Sequence, residues 1–109
     1  MTVAIVIDYV DAVAAAAAGA REYLPVATSQ VYSSYWMPAA RKLGCVWLPL
    51  FQTGAPVPLD DLPAVIEEFR RVRDYFARDP TTWQAERSRW LVAELERIDP
   101  STIAEVYIG

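Results

Sequence analysis

The chain opens on a run of β-branched and apolar residues from Thr2 to Tyr9, Thr-Val-Ala-Ile-Val-Ile-Asp-Tyr. That length and composition read as a strand, and the near-continuous apolarity predicts an interior strand or one covered on both faces. The next stretch has two readings. Asp11 can N-cap an alanine-rich helix running to about Tyr23, alanine being the strongest helix former. Alternatively the chain turns near Gly19 and returns as a strand from Arg21 to Thr28, which would place Pro25 on a sheet edge.

From Ser29 to Leu43, the residues Tyr32, Tyr35, Trp36, Ala39, Ala40 and Leu43 recur at helical spacing. Pro38 conflicts with a long unbroken helix, so the helix is expected to begin near Ser33 or Ser34 and to stop at Gly44. Cys45 to Phe51 reads as extended, and Gln52 to Pro58, with Gly54, Pro56 and Pro58, as a loop. A helix follows, capped by Asp60 or Asp61, with Pro63 in its first turn. Leu62, Val65, Ile66, Phe69, Val72 and Phe76 form its apolar stripe, and Asp79-Pro80 ends it. Thr81 opens another, with Gln84 completing a capping box and Trp83, Trp90, Leu91, Leu95 and Ile98 as the buried stripe. Asp99-Pro100 stops that helix, and Thr102 to Ile108 closes the chain as a strand. The pattern predicts one α+β domain over residues 1–109. A small sheet including the N- and C-terminal strands is covered by three or four helices.

Charge and composition narrow the chemistry. A net charge of -4 argues against nucleic-acid binding, which draws its affinity from a basic surface. Arg70, Arg71 and Arg73 do cluster, but Glu67, Glu68 and Asp74 flank them, which reads as a solvated helix face. The chain has no histidine, which removes imidazole bases, histidine-based triads and histidine metal sites together. Cys45 is the single cysteine and sits in the apolar run Cys45-Val46-Trp47-Leu48, as a buried small hydrophobe would. No metal or other cofactor is expected. The apolar stretch from Val3 to Ala20 is interrupted by Asp8, Tyr9 and Asp11 and lacks a basic leading region. The expectation is a soluble, cytoplasmic protein without membrane contact.

Three polar or aromatic groups are candidate sites. Asp8, Tyr9 and Asp11 lie at the end of the first strand, where carboxylates can hold a cation or exchange protons, or simply form a turn and cap a helix. Thr28 to Trp36 interleaves hydroxyls, an amide and aromatics, as pockets and interfaces both require. Trp47, Pro49 and Phe51 lead into the proline-rich loop. The candidate binding surface is therefore Gln30, Tyr32, Tyr35, Trp36, Trp47 and Phe51. No catalytic residue is assigned. Neither Gly-x-Ser-x-Gly nor Ser-x-x-Lys occurs, and no glycine-rich phosphate loop is present.

Thr28-Ser29-Gln30, Leu43-Gly44, Trp47-Leu48-Pro49, Thr82-Trp83 and the closing strand share a layout with a known group. The chain resembles small proteins encoded by phages and their bacterial hosts, over roughly two-thirds of its length. Those have an N-terminal hairpin, a helix opened by a Thr-His-Asn-like turn, a Trp-x-Pro element, and two further helices before a last strand. Gln30 and its neighbours lack the histidine of that turn, and the first helix is expected to be longer. The resemblance implies a phage or mobile-element setting and no particular activity.

The functional expectation is a non-catalytic protein that inhibits or sequesters a protein partner through an aromatic surface. A binder of a nucleotide-like or aromatic small molecule is the alternative. A histidine-independent lyase or isomerase using Asp8 or Asp11 with Tyr9 is a third. The apolar first strand also suits pairing across a two-fold axis into a homodimer.

Overall fold

A computed structural model describes residues 1–19 and 21–109. Alternation along the first strand, β1 (Thr2–Tyr9), divides the molecule into a filled side and an open side. Val3, Ile5 and Ile7 are buried, whereas Val6 and Asp8 are exposed, and Ala4 near the start of the strand is covered as well. The two ambiguous readings of residues 11–28 each hold in part. Asp11 caps a short helix, α1 (Ala12–Ala18), by accepting the Ala14 N–H at 2.8 Å. Gly19, at φ 65°, ends that helix in a backbone region glycine enters without strain. The chain then returns as β2 (Tyr23–Thr28), antiparallel to β1. Ala20, which the longer helix would have included, lies outside the described residues.

The remaining strands are β3 (Ala55–Val57) and β4 (Ile103–Ile108), and the antiparallel sheet runs β2-β1-β4-β3. The two terminal strands pair, as expected. Residues 52–58 do not form a plain loop. Ala55 to Val57 makes a short edge strand, where Pro56 withholds only a donor that an edge does not need.

The helical run starts earlier than Pro38 suggested. Thr28 caps α2 (Ser29–Val31) through the Val31 N–H, a π-helical turn spans Tyr32–Trp36, and α3 (Met37–Lys42) completes the run. The Met37 N–H reaches back to the Tyr32 carbonyl, five residues away. This wide turn immediately before Pro38 accommodates a residue that an ordinary α-helical ladder would reject.

Cys45 to Phe51 is not extended. Leu48–Gln52 is a 3-10 helix, and the cause is one side chain. Glu68, on α4 (Leu62–Phe76), accepts the backbone N–H groups of Val46, Trp47 and Leu48, each at 3.0 Å. Those donors are thereby satisfied without a sheet. Glu68 is therefore a buried structural acceptor and not part of a solvated face. Asp61 precedes α4 but makes no side-chain cap.

The last helix, α5 (Trp83–Glu96), is capped by Thr82 and not Thr81, the Thr82 hydroxyl accepting the Ala85 N–H. Gln84 therefore falls one position short of a capping box. The buried face of α5 is Ala85, Ser88, Leu91, Val92 and Leu95, and it packs against α4. Trp83 and Trp90, expected in that stripe, are 48% and 38% exposed. Small Ala85 and Ser88 admit the close approach of α4 that two indoles would block.

Candidate functional site

The sequence-predicted aromatic surface divides between core and surface. Tyr32, Trp36 and Phe51 are buried, with Phe69 and Phe76 of α4 packed around them. Tyr32 stacks on Trp36 at 5.9 Å between centroids and donates its hydroxyl to the Leu48 carbonyl at 2.5 Å. Burial drives the Tyr32 hydroxyl pKa far upward, aided by the nearby Cys45 and Glu68. Trp36 Nε1 is buried with no hydrogen-bond partner. These three aromatics hold α2–α3, the 3-10 helix and α4 together, and their rings are closed off from solvent. Trp47 is half-buried against Phe51, and only Gln30 and Tyr35 face solvent.

Asp8, Tyr9 and Asp11 do not converge either. Asp8 lies on the open side of the sheet, and Asp11 is occupied in capping α1. The Tyr9 hydroxyl donates to the Arg21 carbonyl at 3.0 Å, closing the hairpin. Its pKa is raised by burial, against the lowering influence of Arg21. Among the described residues, no three His, Cys, Asp or Glu side chains gather as metal ligands. The Cys45 thiol is buried, and desolvation with the neighbouring Glu68 raises its pKa against the opposing pull of Arg71, which disfavours a thiolate.

The arginine cluster of α4 is absorbed into ion pairs and one hydrogen bond to a backbone carbonyl. Arg70 meets Glu67 and Glu96, Arg73 meets Asp74 and Glu96, and Arg71 donates to the Leu43 carbonyl.

The exposed tryptophans lie instead on α5. Trp83, Arg87 and Trp90 occur at i, i+4 and i+7 and share one strip. The Arg87 guanidinium lies 5.2 Å from the Trp83 ring centroid and 4.6 Å from that of Trp90. It also donates to the Pro25 carbonyl of β2 at 3.3 Å, covering an acceptor on the sheet edge. Beside it opens a cleft of about 620 Å³, walled by α1, β2 and α5, with Tyr23, Arg21, Arg87, Trp90 and Glu94 among its lining. Within it Glu94 pairs with Arg21 at 2.8 Å and with Arg97 at 3.2 Å. Arg87 forms no ion pair among the described residues. The cleft therefore carries one guanidinium without a counter-charge, held in place by two exposed indoles.

No family model, no curated protein and no solved structure matches this chain.

The signal for this strip was present in the sequence. Two lines run along α5, one of large amphipathic side chains through Trp83, Arg87, Trp90 and Glu94, the other of smaller side chains through Ala85, Ser88, Val92 and Leu95. A cation between two tryptophans on the same line is the feature that marks it as solvent-facing. No described helix is long and apolar enough to cross a membrane.

Proposed function

We propose that this protein is a non-catalytic binding module that captures an acidic segment of a protein partner on the Trp83–Arg87–Trp90 strip and the adjoining cleft. The observation that carries the reading is the Arg87 guanidinium, stacked on two exposed indoles and lacking a carboxylate. Tryptophan, tyrosine and arginine are the residue types that dominate binding energy at protein interfaces, and Tyr23 at the cleft completes that set. Stacking fixes the guanidinium in advance, so less side-chain entropy is lost when a partner carboxylate arrives. The resemblance to phage-encoded proteins would fit a cytoplasmic protein that inhibits or sequesters its partner, as immunity and counter-defence proteins do.

Peptide-display selection on the immobilised native protein tests this. Selected peptides should be rich in Asp and Glu and should lose binding to Arg87→Glu. Peptides without acidic bias, or ones that bind the variant equally well, would sink the reading.

A small-molecule reading is favoured by one observation, the cleft volume of about 620 Å³, which falls within the range of ligand pockets. Its occupant would be an aromatic or nucleotide-like anion against Trp90 and Tyr23. Native mass spectrometry that finds only the bare polypeptide mass, together with tryptophan fluorescence that ignores a metabolite panel, would remove it.

A further inference from the structure

The open side of the sheet is a second surface, which meets the α5 cleft only at Tyr23. Its cross-strand register places Tyr23 opposite Val6, Val6 opposite Tyr107, and Tyr107 opposite Pro56, so one apolar row crosses all four strands. Tyr23, Val6 and Tyr107 are 53%, 37% and 46% exposed. Antiparallel sheets commonly keep one face wet, but that face is then polar. This one is mixed, an apolar row bordered by Asp8 and Glu105, and a groove of about 390 Å³ runs along it between Val6, Asp8, Pro56, Leu59, Glu105 and Tyr107.

Tyr107 is also held in place. A Cβ on Gly54 would collide with its hydroxyl, and one on Gly109 would press on its ring. The side chain thus lies across two glycines, and Gly54 also has a φ of 96°, which an L side chain rarely adopts.

Beside this row, Asp8 stands directly opposite Glu105. Like charges facing across an antiparallel pair repel, and no arginine or lysine among the described residues forms an ion pair with either. The fold gains nothing from this pair, but a cationic partner would.

We infer that the open sheet face docks a basic amphipathic helix of a partner protein. Its apolar side would lie on the Tyr23–Val6–Tyr107–Pro56 row and its lysines or arginines on Asp8 and Glu105. A helix is the matching element because an apolar sheet face is completed by a helical layer, as α4 and α5 complete the opposite face. A second copy of this chain is the poorer occupant, since the face it would bring carries the same Asp8 and Glu105 and supplies no cation for them. The inference does not depend on the α5 strip, which carries the opposite charge preference.

The test uses a synthetic amphipathic helix with a leucine face bordered by lysines, titrated into ¹⁵N-labelled protein, and the same peptide with glutamates replacing the lysines. The lysine peptide should move the amide signals of Val6, Asp8, Glu105 and Tyr107. Its affinity should fall about tenfold in the Asp8→Asn, Glu105→Gln double variant and should weaken with added salt. Equal affinity for the double variant, equal binding of the glutamate peptide, shifts confined to α5, or a stable dimer that already covers these amides would each overturn it.

Discussion

Glu68 shows how far a single residue can set local structure here. Its carboxylate gathers three successive N–H groups ahead of the 3-10 helix, and that arrangement aims Leu48 and Phe51 into the core. Glu68→Gln keeps the shape but has one acceptor oxygen, and is expected to cost about 1–3 kcal/mol in urea unfolding. An unchanged midpoint would mean that Glu68 does not organise this turn. Its role was hidden in the sequence by Glu67 and the arginines around it, although its phase, between Val65 and Val72, already placed it on the apolar stripe. Asp99 offers a pH-dependent counterpart. It accepts the Ser101 hydroxyl and backbone N–H at the turn leading into β4, and these bonds lower its pKa. A carboxyl with a depressed folded pKa contributes stability above its unfolded pKa and loses that contribution as pH falls through the folded value. Melting measured from pH 6 downward, from about two units above an ordinary carboxyl pKa, should therefore decline less steeply in Asp99→Asn than in the parent. Identical slopes would contradict the assignment.

At the scale of elements, apolar spacing was a good guide to which segments are helical and to the buried face of α4, and failed for the two tryptophans of α5. α4 follows its stripe, with Leu62, Val65, Phe69, Val72 and Phe76 all buried. In α5 the two largest residues lie outside and the smaller line lies inside, because the space between α4 and α5 admits Ala85 and Ser88 but not indoles. Leu91→Ala should cost about 2–5 kcal/mol by opening a cavity in that junction. A cost below 1 kcal/mol, on the order of a surface change, would place Leu91 outside the core. Pro38 misled for a different reason. A proline usually marks a helix start or break, but a π turn is a tertiary accommodation that local propensity does not encode. The strand ends of residues 55–57 were hidden by two prolines, which a central strand would exclude and an edge tolerates.

For the molecule as a whole, the layers were legible because terminal strands flanking amphipathic helices leave few arrangements for a chain of this length. The side of the sheet that stays bare was not, since β1 is apolar on both faces. That ambiguity is itself informative. Val6 and its row are apolar without serving the core, and Trp83 and Trp90 are aromatic without serving it either. The aromatic surplus seen in the composition divides into a buried junction around Trp36 and exposed rings on α5 and the sheet. The central claim is that the acidic partner binds the exposed strip, leaving the buried aromatics to hold the fold. The measurement that tests it most directly is a paired melt and peptide titration of the Trp83→Ala, Trp90→Ala double variant, using an acidic peptide selected on the native protein. The account predicts a melting temperature lower by no more than about 5 °C, as for exposed residues, with affinity reduced at least about tenfold. Undiminished affinity, or a melt as damaged as that of Trp36→Ala, would contradict it.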